Sequence, residues 1–227
     1  MNLLHRWQHY FSNLSVRRKL NLLTLLIALG VIALSVIAAR MQYLDLTDTR
    51  KSSLKTQVEL SYGILDHYHR LAGTGELSEE AAKAAALQAL EVMRAHNDSY
   101  YYNIYDTGYH VLMHPFRKDL VGKDMKDFRT GDGIRIYYDQ IEAAKAGGGF
   151  VNYRWAKPGS KGEVEKVAYA GLFAPWIWVV SSGVYMDDVQ RQALVFTAIM
   201  AISGGVLVLI VLALSWVIGN RIARPLK

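Results

Sequence analysis

Four side chains near the middle of the sequence have the chemistry to hold a small anion: His114 in "HVLMHP", Lys166 in "EKVAYAGLF", and Tyr153 with Trp155 in "FVNYRW". An anion taken out of water needs charge-assisted donors, which are about twice as strong as neutral ones. A protonated imidazole is one such donor, and a nearby anion favours that form. Pro115 removes a ladder donor and ends the strand, so His114 falls at the rim of a sheet. There it either meets a ligand or caps the following loop. Lys166 lies inside a strand pattern, either facing solvent or clamping an acid. Period-2 alternation puts Val151, Tyr153 and Trp155 on one face and Asn152 and Arg154 on the other. Tyr and Trp line an apolar pocket while offering an O–H or N–H tip; ordinary core packing accounts for them equally well.

Neighbouring patterns carry less. Arg117, Lys118, Lys123 and Lys126 alternate with Asp119, Asp124 and Asp127, which largely cancels the local field and marks a solvated surface. Asp66-His67-Tyr68-His69 falls on a helical pattern, where residues two apart do not face each other. His110 and His114 share a strand face, but no third ligand is placed, so no metal or other cofactor is expected. "GDG" at 131–133 lacks the lysine and hydroxyl of a phosphate loop. No nucleophile and base stand beside an orienting acid. The sequence reads as a binding protein, not an enzyme.

The elements that must position these residues follow from periodicity. Leu54, Val58, Ser61, Leu65, Tyr68 and Ala72 form one helical stripe, ended by "GTG" at 73–75 and expected to pack on its own domain. Ser78 caps a second helix with Glu79 and Glu80 in its first turn. Beyond Asn97 the pattern turns to strands: 100–106, 110–114, 150–155, 165–173 and 177–185, punctuated by Asp106-Thr107-Gly108, Pro158-Gly159 and Ala174-Pro175. "IRIYYDQIEAAKA" supplies a helix between the second and third strands. Short turns between neighbouring strands predict an antiparallel sheet with helices beside it, an α+β fold.

Two stretches are too apolar for loops. Leu20 to Ala39 has no charge over 20 residues and Ala193 to Asn220 none over 28, and about 20 apolar residues cross a hydrocarbon core. Both read as transmembrane helices. A cleaved signal peptide ending near Ile37-Ala38-Ala39 is the alternative for the first, but the run exceeds the usual ~7–15 residues. The flanks of the two spans carry seven cations and no acid, whereas residues 40–192 carry 19 Lys+Arg against 20 Asp+Glu. Positive charge stays inside. This predicts a cytoplasmic segment 1–19, membrane helix 20–39, extracytoplasmic domain 40–192, membrane helix 193–220 and cytoplasmic tail 221–227. The net charge of +6 is then a topology signal, with no nucleic-acid partner. Without cysteine, the outer domain relies on its core, which about 150 residues can supply.

Four stretches, "YYYNIYDTGYHVLMHP", "LVGKDMKDF", "GFVNYRWAKPG…EKVAYAGLF" and "PWIWVVSSGVYMDDV", are similar in order and spacing to the single Cache domain, second subfamily, of bacterial transmembrane sensors such as methyl-accepting chemotaxis proteins. The final "RIARPLK" resembles the opening of a HAMP linker. The resemblance implies a PAS-like antiparallel sheet with a long N-terminal helix between two membrane helices. It also implies a homodimer in the bacterial inner membrane and a short carboxylate ligand such as acetate, propionate, lactate or pyruvate. It favours Lys166 as a clamp and adds Tyr169. Of Tyr101 and Tyr102 only one can face the pocket, and Tyr102 is carried forward. Asn103 stands where the family usually has an aromatic, which enlarges or polarises the pocket, and Ser181-Ser182-Gly183 replaces the usual Gly-Thr-Gly. The expected ligand set is Tyr102, Asn103, His114, Tyr153, Trp155, Lys166 and Tyr169. The alternative is an interaction module that binds a partner protein and no metabolite.

Overall fold

The computed structural model describes residues 16–95, 100–160 and 162–221. The expected HAMP-like residues 222–227 and most of the segment 1–19 lie outside the described residues. The chain divides into two compact units: Asp45–Val189, and a second formed by the segments on either side of it.

In the first unit, helix α1 (Val16–Gly73) contributes its C-terminal part. Leu54, Val58, Ser61 and Leu65 are buried, with Tyr68 and Ala72 half-buried, so the predicted stripe packs on its own domain. The chain leaves the helix through Gly75 at φ +78°, a left-handed conformation glycine adopts without steric cost. Ser78 Oγ then accepts from Ala81 N and opens α2 (Glu79–Val92), which buries Ala82, Ala86 and Leu90. The strands are β1 (Arg94–Ala95), β2 (Tyr100–Asp106), β3 (Val111–Met113), β4 (Gly149–Ala156), β5 (Glu163–Phe173) and β6 (Trp178–Tyr185). Helix α3 (Ile136–Lys145) lies between β3 and β4 in sequence. The sheet is antiparallel, in the order β1-β2-β6-β5-β4, with β3 paired to β2.

The register sorts every strand residue onto one of two faces. Tyr101, Asn103 and Tyr105 share a face with Val179, Ser181, Gly183 and Tyr185 of β6. Lys166, Ala168 and Ala170 of β5 and Tyr153 and Trp155 of β4 join them. This face packs against α3 through Ile136, Tyr137, Ile141 and Ala144. The opposite face meets α1: the Tyr102 hydroxyl donates to Gln57 O at 3.0 Å, and the Tyr62 and Phe173 rings lie 5.9 Å apart.

In the second unit, the N-terminal part of α1 lies beside α4 (Asp187–Arg221). Thr24 Oγ1 and Ser215 Oγ are 2.9 Å apart, and Gly204 lets α4 approach Val31, which a Cβ there would meet at 2.7 Å. Both helices are long and apolar enough to span a membrane. Leu26, Leu34, Leu194, Ile202 and Leu209 are each at least 66% exposed, a surface suited to hydrocarbon and not to water. The first span and the long helix after Arg40 were expected as separate elements. They form one uninterrupted helix, because no proline or glycine pair separates them.

Candidate functional site

Lys166 is the centre of the α3-side face. It is 1% exposed, and its Nζ has no hydrogen-bond partner. Instead Nζ lies 3.9 Å from the Tyr101 ring centroid and 4.5 Å from that of Tyr185. Aromatic faces attract a cation, by about 2 kcal/mol when both are desolvated, but they accept no proton-sharing bond of carboxylate strength. Burial holds the Lys166 pKa well below the usual lysine range. Gly183 makes the arrangement sterically feasible. A Cβ at that position would stand 2.7 Å from Lys166 Cε and 3.1 Å from Val167 O, so the missing side chain is the slot in which the lysine lies.

His114 follows β3 and is 2% exposed. Its Nδ1 accepts from the backbone amides of Phe116 at 3.1 Å and Arg117 at 3.0 Å. An amide can only donate, so Nδ1 is unprotonated and the ring proton resides on Nε2. Burial, reinforced by the positive Lys166, pushes the pKa down to about 3. This corrects the expectation of a cationic imidazole: His114 is a neutral N–H donor, and protonating it means breaking two backbone hydrogen bonds. It also holds the loop entry through Nδ1, which leaves Nε2–H as the ring's remaining donor.

Tyr101 connects these groups to solvent. Its ring lies 5.4 Å from His114 and 5.0 Å from Phe116. With His114, Phe128 and Trp155 it borders a cleft of about 350 Å³ whose outer wall includes the β4–β5 loop. Lys166 does not border the cleft; it touches Tyr101, which does. Tyr185 shares the Lys166 ammonium with Tyr101, its hydroxyl donates to Ala156 O at 2.8 Å, and Lys157 Nζ lies 5.5 Å from its ring centroid. Next along, Lys157 pairs with Asp187 at 2.6 Å, and Asp188 pairs with Arg50 at 3.1 Å. Arg50 also donates to the Tyr100 hydroxyl at 2.7 Å. An unbroken set of contacts thus runs from the buried lysine to the first turn of α4.

The structure brings Asn103, His114, Tyr153, Trp155 and Lys166 to one side of the sheet. Tyr153 is buried beside Lys166 as its register partner, and burial raises its hydroxyl pKa. Tyr102 and Tyr169 are not brought there: they point to the α1 side, where Tyr169 packs on Phe150 at 4.9 Å. One residue of register decides this, and of the tyrosine pair it is Tyr101 that shares the face of Lys166. Sequence reasoning also missed Tyr185 and Gly183, although a glycine inside a strand signals close approach of another group. Two cations of the basic loop are paired off: Arg117 forms two 2.8 Å bonds with Asp119, and Lys118 meets Glu91 at 2.5 Å. Among the described residues, no group of three or more His, Asp or Glu side chains could hold a metal ion.

The sequence matches the single Cache domain 2 family over residues 46–197. The chain belongs to that family. It is 32% identical to the methyl-accepting chemotaxis protein McpP of Pseudomonas putida, over 95% of this chain and 40% of that protein. The sensor histidine kinase MctS of Rhizobium johnstonii is 28% identical over 66% of this chain and 32% of its own length. The chain therefore spans about two fifths or less of these relatives. A solved structure describing carboxylic acid recognition by a Cache chemosensory domain superposes with a TM-score of 0.59 at 34% identity, covering 62% of this chain and 96% of that one. A methyl-accepting chemotaxis protein of Vibrio parahaemolyticus gives 0.59 at 25% identity, over 67% and 99%. This is a Cache sensor domain of the kind that chemoreceptors and sensor kinases carry, with an α+β Cache fold and two apolar helices flanking it.

Proposed function

We propose that the Cache unit binds a short monocarboxylate outside the inner membrane and transmits its occupancy through α4 as part of a two-pass, homodimeric chemoreceptor-type sensor. The spans are 20–39 and 193–220, residues 1–19 and 221–227 are cytoplasmic, and residues 40–192 face outward. One observation carries the ligand class: Lys166 Nζ is buried with aromatic rings around it and no acceptor. An unpaired buried ammonium is costly, and a carboxylate supplies both the counter-charge and the acceptors. The neutral His114 adds an N–H donor, and Tyr153 and Trp155 add apolar walls with polar tips. Binding raises the Lys166 pKa, so the complex takes up a proton wherever the free lysine is neutral. The contacts from Tyr101 and Tyr185 to Asp187 support transmission, since a ligand that repositions the lysine disturbs a chain of groups ending at the helix. Titration calorimetry of the chain in lipid nanodiscs with acetate, propionate, lactate and pyruvate tests the reading. Saturable binding to at least one is expected, with an enthalpy that depends on the buffer's ionisation enthalpy. Absence of binding to all short carboxylates refutes it and favours a protein-interaction module.

A further inference from the structure

The α1 side of the sheet, away from Lys166, holds a second cleft. It has a volume of about 450 Å³ and is bordered by Gln57 of α1, Tyr100 and Tyr102 of β2, Ser182 of β6 and Met93 at the end of α2. Small-molecule sites commonly fall at about 300–1,000 Å³. Ser182 is its most deeply buried wall. The residue is 1% exposed, and its Oγ has no hydrogen-bond partner. Buried polar atoms are almost always paired, and each exception asks for a reason. The cross-strand neighbours of Ser182 are Tyr102 on β2 and Tyr169 on β5. The Tyr102 hydroxyl is already committed to Gln57 O at 3.0 Å, and the Tyr169 ring packs on Phe150. The Ser182 hydroxyl is left over.

The remaining walls set the chemistry of an occupant. Tyr100 and Tyr102, two residues apart on β2, present their rings to the same side. Val92 and Met93 stand at the border and are 68% and 39% exposed, so the cleft is reached from solvent past two apolar side chains. The one charged residue on the border, Arg94, is engaged elsewhere: its guanidinium lies 5.2 Å from the Phe116 ring centroid, and its Nε donates to Glu91 O at 3.4 Å. An ion entering the cleft would lose hydration without gaining a counter-charge. Ring faces with an apolar rim favour an aromatic molecule, and a serine hydroxyl, which both donates and accepts, satisfies one polar substituent. Tyr101 borders both clefts, but its ring lies against Lys166 on the other face.

We infer that this cleft is a second binding site, for an uncharged aromatic molecule whose single hydroxyl or carbonyl group pairs with Ser182 Oγ. The site is separate from the carboxylate reading above and does not depend on it.

The test is fluorine NMR of the whole chain in nanodiscs with 4-fluorobenzyl alcohol and 4-fluorotoluene, with protein-free nanodiscs giving the lipid background. Saturable binding of the alcohol above that background is expected, and it should be nearly unchanged in Lys166→Met. Ser182→Ala should weaken the alcohol about fivefold and leave fluorotoluene, which has no polar group to lose, as it was. Met93→Trp, at a position 39% exposed and so tolerated by the fold even if Ser182→Ala is not, should close the mouth and largely abolish binding of both probes. On the Lys166→Met chain 4-fluorobenzoate should bind about tenfold or more weaker than the alcohol, because its charge finds no partner. No saturable binding above the lipid background overturns the inference. So does an alcohol that binds Ser182→Ala as tightly as the parent, or probes that still bind Met93→Trp. Loss of alcohol binding in Lys166→Met overturns it too, by assigning the probe to the cleft on the α3 side.

Discussion

Replacing Lys166 by methionine separates the two consequences of burying an unpaired ammonium. Methionine is nearly isosteric, keeps contact with the Tyr101 and Tyr185 rings, and gains a favourable sulfur–aromatic interaction. It removes a charge that is 1% exposed and has no hydrogen-bond partner. Burying an ammonium costs several kcal/mol after relaxation, and the two ring faces at 3.9 and 4.5 Å recover part of it. Leaving a buried polar group unsatisfied costs about 1–3 kcal/mol net. The ligand-free variant should therefore be more stable than the parent. At ~2 kcal/mol, the sensor transition should rise by roughly 4–8 °C. Adding carboxylate should do the opposite to the comparison. A ligand at 100 times its Kd contributes about 2.7 kcal/mol to the parent, or roughly 5–11 °C, and almost nothing to the variant. The pH dependence has a defined sign. The folded pKa of Lys166 is depressed below the ordinary value of 10.5, so the unfolded chain binds the extra proton. Parent stability is then lost as pH falls below that value, and the variant lacks this slope. Tryptophan-fluorescence melts of both chains in nanodiscs, with and without ligand, read all of this. A ligand-free variant that melts below the parent, or an unchanged ligand shift, refutes the argument.

Gly183→Ala places a methyl 2.7 Å from Lys166 Cε and 3.1 Å from Val167 O; calorimetry should show about a tenfold or greater loss of carboxylate affinity, and melts about 1–3 kcal/mol of overpacking. His114→Asn keeps an acceptor for the two loop amides without a titrating ring. The folded pKa of about 3 lies below the ordinary 6.5, so the parent loses stability as pH falls through that window. The variant should be spared about 3 kcal/mol of loss between pH 6.5 and 4, measured by denaturation at each pH. Asp187→Asn breaks the 2.6 Å pair with Lys157. In a chimera joined to a chemoreceptor signalling module it should weaken ligand-induced output about fivefold or more while calorimetry shows a nearly unchanged Kd. Inserting Gly-Gly-Gly after Asp188 should abolish that output altogether, and normal signalling from the insertion would rule out rigid transmission into α4.

Much of the architecture was legible because it rests on short-range periodicity. Five strand segments, the Ser78 cap and the stripe from Leu54 to Leu65 appear where hydrophobic spacing and turn residues place them. The apolar runs within α1 and α4 were equally plain, as crossing hydrocarbon requires length and lack of charge, which need no tertiary partner. Boundaries were less legible. The absence of a breaker after Ala39 let one helix run from Val16 to Gly73, a continuity that a list of separate segments hides.

The sequence by itself determined that this chain has two long apolar helical runs and an antiparallel sheet between them, and it singled out a lysine, a histidine and aromatics whose chemistry suits an anion. Which of those groups meet was decided only in three dimensions. Alternation along β2 is symmetrical between Tyr101 and Tyr102 until α3 covers one face and α1 the other, and a one-residue choice sends the side chain to the opposite side. Lys166 is a buried anchor and not a surface cation because Gly183, on the neighbouring strand, leaves room for its chain. His114 is neutral because two amides of the following loop fold back onto Nδ1. Each of these facts depends on a neighbour brought close by the sheet or the loop, and burial, which shifts the pKa values, exists only after packing.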